Sequence, residues 1–140
     1  MSIIKKLVKV VNEGDENGAK EVMHDDFKFL MHASGKTLSK DDVVKWVGMK
    51  DVKLEKERIL FENEEVGFMH AIASFKDGNK EAVMSYYKFK DGKIVHQETG
   101  AKKLHKLRKI LENLKKDLLR LNLILKITYG FLIVTFRKTQ

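Results

Sequence analysis

The chain is expected to fold as an α+β domain, with helices packed on one face of a curved antiparallel sheet and a basic helical extension behind it. Three observations carry that expectation. Apolar-striped helical segments lie near the start, four strand-like stretches crowd between residues 52 and 101, and leucines step by three and four through the last section.

Ile3, Ile4, Leu7, Val8, Val10 and Val11 form a broad helical stripe with Lys5, Lys6 and Lys9 opposite, which predicts a first helix. Asn12-Glu13-Gly14-Asp15 closes it, and Asp15 caps a second short helix reaching about His24. Phe27, Phe29 and Met31 alternate with Lys28 and Leu30 and so share one face of a short first strand. Ala33-Ser34-Gly35-Lys36 reads as a turn. Ser39 and Asp42 then make a capping box for a third helix carrying Val43, Trp46 and Val47.

Val52 to Phe61 is expected to be a strand despite imperfect alternation. Three more follow: VGFMHAIASF, EAVMSYYKF and KIVHQETGA. Their connectors, Lys76-Asp77-Gly78-Asn79 and Asp91-Gly92, suit short hairpins, and no proline interrupts the run.

At 140 residues the chain has room for one ordinary domain. It has no cysteine, which excludes disulfides and thiolate metal sites and fits a cytoplasmic address. The lysine-interrupted N-terminus does not read as a signal peptide. The formal net charge of +8 is unevenly placed: residues 1–100 carry 17 of the 28 Lys+Arg and 18 of the 20 Asp+Glu, whereas residues 101–140 carry 11 bases and only Glu112 and Asp117. The folded part is therefore near neutral, and a nucleic-acid partner is not expected.

Leu104, Leu107, Leu111, Leu114, Leu118, Leu121 and Leu125 keep the spacing of a coiled-coil seam, widened by Ile110, Leu119, Leu123 and Ile124. Ile127 to Phe136 is apolar, but Lys126 limits the run to less than the roughly 20 residues of a membrane span. The boundary is drawn as 1–101 for the domain and 102–140 for the extension. Three readings of the extension stay open: self-pairing or packing, contact of Lys106, Arg108, Lys109, Lys115, Lys116 and Arg120 with an anionic membrane surface, and an acquired tail without a role.

His24-Asp25-Asp26-Phe27-Lys28-Phe29, His32, Gly35 and Ser39-Lys40 before the third helix, then Asp91-Gly92-Lys93-Ile94-Val95, resemble the nuclear transport factor 2-like superfamily, and more narrowly the small bacterial SnoaL-like domains. The resemblance covers about residues 1–101. It implies a conical α+β barrel whose three N-terminal helices cover the concave face of the sheet and enclose an apolar pocket. It also implies a homodimer formed through the outer surface of the sheet. Known members include steroid isomerases, polyketide cyclases, epoxide hydrolases, dehydratases and non-catalytic binding domains, so fold leaves function open. The isomerase-like members place a carboxylate near the end of the first strand; here Leu30-Met31-His32 stands there instead.

The expected occupant is a small hydrophobic molecule, with Phe27, Phe29, Met31, Trp46, Phe68 and Glu98 lining the pocket. In an enzymatic version, an isomerase, cyclase or dehydratase, His70 or His96 moves a proton and Tyr86 donates to a developing oxyanion. Those side chains serve equally as strand residues with satisfied polar atoms, so a non-catalytic binding or assembly module is the rival. Tyr86 and Tyr87 must point to opposite faces, so one of them enters the pocket. No cofactor is implied: GxGxxG, GxxxxGK[ST] and GxSxG are missing. The five histidines, His24, His32, His70, His96 and His105, show no close helical metal-binding pair, and no metal is expected.

Overall fold

A computed structural model describes residues 1–104 and 107–138, with side chains described through 104 and from 111 to 128. His105, Lys106, Thr139 and Gln140, together with the side chains of Leu107, Arg108, Lys109 and Ile110 and of 129–138, lie outside the described residues. The chain divides into two compact units, Met1–Leu104 and His105–Gln140.

Ser2 starts α1 (Ile3–Glu13) by accepting from the Lys5 amide, and the helix buries Ile4, Leu7, Val8, Val10 and Val11. At about 1.5–3 kcal/mol for each large apolar side chain taken out of water, this stripe is what holds α1 to the sheet. Gly14 ends it in the left-handed region at φ 68, its amide donating to the Val10 and Val11 carbonyls. The side chain of Lys50 occupies the place where a Cβ would stand. Asp15 then caps α2 (Glu16–Val22). Asn12 fixes the far end of α1 to the sheet: its side-chain amide donates to the Leu54 carbonyl at 3.0 Å and its oxygen accepts from the Leu54 amide at 2.7 Å.

β1 (Met23–Met31) begins four residues earlier than expected. The turn after it leads into a strand that was not expected, β2 (Lys36–Ser39), antiparallel to β1 with Leu30 opposite Thr37. Four residues are too few to show a period, and pairing with β1 decides the conformation. In α3 (Lys40–Gly48) both halves of the Ser39/Asp42 capping box form.

β3 (Val52–Glu62), β4 (Val66–Phe75), β5 (Lys80–Lys90) and β6 (Lys93–Leu104) make the expected antiparallel meander. Asp91 and Gly92 both have positive φ, 53 and 70, as a two-residue hairpin of this hand requires. The sheet order is β2-β1-β6-β5-β4-β3. β1 runs parallel to β6, so one pair of this mostly antiparallel sheet departs from the all-antiparallel expectation. Register breaks in β1 between Met23 and Lys28, and in β3 between Glu55 and Arg58, bend the sheet; Lys56 at the second has φ 52. Gly67 lets α1 sit close, since a Cβ there would lie 2.6 Å from Ile4 Cδ1.

The fold class is therefore α+β, an open curved six-stranded sheet with helices at the N-terminus and α4 (Leu107–Lys138) at the C-terminus. Tyr87, Phe27, Ile4, Met23, Met69, Ile94 and Val47 are the largest fully buried side chains. Among the described residues, no helix is long and apolar enough to cross a membrane.

Candidate functional site: a cavity on the concave face

The core does not fill the concave side of the sheet. A cavity of about 650 Å³ lies between the sheet and the helices. Leu7 and Val11 of α1 and Val43, Trp46 and Met49 of α3 supply the helical wall. The sheet wall is made by alternate residues: Phe29 and Met31 on β1, Met69, Ala71, Ala73 and Phe75 on β4, and Val83, Ser85 and Tyr87 on β5. It continues through Gln97, Thr99 and Ala101 on β6. Small residues at 71, 73, 85 and 101 leave the space that larger ones would occupy.

Four neutral polar side chains meet on this wall. Ser85 stands opposite Thr99 and Tyr87 opposite Gln97, so two hydroxyls on β5 face a hydroxyl and an amide on β6. Ser85 and Tyr87 are buried. Burial pushes the Tyr87 phenol up to about 12, against the opposing effect of hydrogen bonding with Ser85, so the hydroxyl keeps its proton. The charged lining residues differ: Lys36, Asp42 and Lys45 are exposed and Glu81 is half-buried. Hydrogen bonds from the Ser39 backbone, then from its side chain, hold the Asp42 carboxyl below the usual carboxylate range.

Phe29, Met31 and Trp46 line the cavity. Phe27 does not; it is 1% exposed and belongs to the solid core. Phe68, His70, Tyr86, His96 and Glu98 also do not line it, because strand alternation turns them to the convex face. They gather there as a group. Phe68 and Tyr86 rings lie 5.3 Å apart, and the Tyr86 ring meets His96 edge-on at 6.4 Å. Glu98 bridges two imidazoles, Oε1 accepting from His96 Nε2 at 2.8 Å and Oε2 from His32 Nε2 at 2.9 Å. His70 Nδ1 is buried without a hydrogen-bond partner. Of the two adjacent tyrosines, Tyr87 is the one that enters the cavity. The sequence does not single out Ser85, Gln97 and Thr99, although Ser85 shares its parity with Tyr87, and Gln97 and Thr99 share theirs with Ala101.

Among the described residues, no group of three histidine or acidic side chains could hold a metal ion. The lining offers hydrogen bonds from neutral groups within an apolar wall, which is the chemistry of a ligand site for an uncharged or weakly polar organic molecule.

No protein-family model and no curated protein matches the chain. Solved structures match it in fold. A nuclear transport factor 2-like protein of unknown function from Cytophaga hutchinsonii superposes with a TM-score of 0.63 at 14% identity, over 71% of this chain and 87% of that one. A candidate ketosteroid isomerase from Kribbella flavida gives 0.64 at 10% identity, over 74% and 78%. IdmH, a candidate polyketide cyclase from Streptomyces antibioticus, gives 0.55 at 15% identity, over 71% and 88%. The chain thus has the nuclear transport factor 2-like fold, the architecture its sequence resembles, and within that fold it is a domain with a hollow, mostly apolar concave side.

Proposed function

We propose that the domain binds one small hydrophobic organic molecule in the cavity, with a hydroxyl or carbonyl of that molecule held by Ser85, Tyr87, Gln97 and Thr99. The observation that carries this reading is the cavity itself: its volume falls within the range of about 300–1,000 Å³ typical of small-molecule sites, and its inner wall groups polar atoms in one place. The candidate isomerase and cyclase among the fold's neighbours support it. Binding without turnover is favoured over an isomerase, cyclase or dehydratase. Among the described residues no imidazole lines the cavity, and the carboxylate of Asp42 is tied to Ser39 and made a weaker base.

The partner expected on the convex face is a second copy of the chain. Phe61, Phe68 and Met84 are 51, 39 and 48% exposed there, and Phe61, Phe68 and Tyr86 stand in one cross-strand row. Native mass measurement of protein purified from its own cells tests the ligand reading by showing a retained small molecule. Ala71→Trp and Val83→Trp fill the cavity from two strands; binding of an apolar fluorescent probe falls tenfold or more in both. Unchanged probe binding in both folded variants removes the cavity as the site.

A further inference from the structure

We propose that α4 docks on the surface of an anionic lipid bilayer, its leucines entering the acyl layer and its lysines and arginines meeting the headgroups. The proposal stands independently of the cavity reading. Leu111, Leu114, Leu118, Leu121 and Leu125 share one side of the helix by their spacing, and each is at least half exposed. A side of five exposed leucines in water needs a cover.

Charge selects lipid over a second helix: residues 101–140 hold 11 bases against two acids. Self-pairing would bring that excess against itself, and the positions flanking the seam, Lys115, Asp117, Asn122 and Ile124, lack the complementary charges that support a coiled coil. An anionic surface supplies them instead. Lys115, Lys116 and Arg120 precede the stretch that is apolar on most sides, and Lys126 within it has a side chain long enough to reach the interface.

The test is co-sedimentation of the full chain with vesicles of phosphatidylcholine alone and of phosphatidylcholine mixed with phosphatidylserine. Binding to the mixed vesicles, its loss at high salt and no binding to the neutral ones are expected. Each basic side chain near an anionic surface contributes about fivefold to partition, so K115E/K116E/R120E lowers binding on the order of a hundredfold. L118E/L121E abolishes it. Both variants alter exposed positions of a unit separate from the domain, so circular dichroism and probe binding report an intact Met1–Leu104. No binding to either vesicle overturns the proposal. So does salt-independent binding to both, which indicates insertion driven by apolar contact alone. So too does a fall in oligomeric mass of L118E/L121E with vesicle binding unchanged, which assigns the leucines to self-pairing.

Discussion

Glu98 sits between two imidazoles on the convex face, and that position makes its charge matter. The hydrogen bond from His32, followed by that from His96, holds its carboxyl below the usual carboxylate range. A carboxylate whose folded pKa lies below its unfolded value adds stability that is present above the unfolded pKa and lost as pH falls through the folded one. Stability measured by urea unfolding is therefore expected to decline in the acid range, and Glu98→Gln is expected to flatten that decline. An identical acid profile in the variant would assign the decline elsewhere. The same residue shows the limit of reading single positions. His96 and Glu98 were correctly placed on one face of one strand, because alternation demands it. Which face is hollow is a property of the sheet, and an acidic or imidazole side chain suits a convex surface as well as a pocket.

Elements were more legible than residues. Helices α1 and α3 announced themselves through stripes and caps, and the hairpin at Asp91-Gly92 through its residues. Strands β4 and β5 are legible as strands, but polar side chains do not mark which of their faces is inward. The better mark is size. On β4 the outward row is Phe68, His70 and Ile72 while the inward row includes Ala71 and Ala73, and a hollow needs the small row. β2 escaped notice because four residues carry no period, and the parallel β1–β6 pairing because it joins strands distant in sequence. The clearest test at this scale concerns α3. Ser39→Ala removes the hydroxyl of its capping box and is expected to lower stability by about 1 kcal/mol. The urea midpoint reads this directly, and an unchanged midpoint would show that packing of Val43, Val44 and Val47 alone fixes the start of the helix.

For the whole molecule, the separation of the two sheet faces divides its chemistry. The described histidines lie outside the cavity wall, and Tyr87 keeps its proton far above neutrality. Ligand affinity is therefore expected to stay level from about pH 6 to 8, the range in which an ordinary imidazole titrates. Equilibrium titration of the retained ligand at several pH values checks this; a tenfold slope across that range would place an imidazole in contact with the ligand. Asn12 carries a consequence of a different kind. An open sheet ends in margins whose peptide groups lack a neighbouring strand, and such margins invite strands from other molecules. On one side the margin is the four residues of β2. On the other, Asn12 occupies both peptide groups of Leu54, and two residues later the chain kinks at Lys56. The eleven-residue border of β3 is thereby broken near its start, and an intruding strand meets a plugged and crooked template there rather than a straight one.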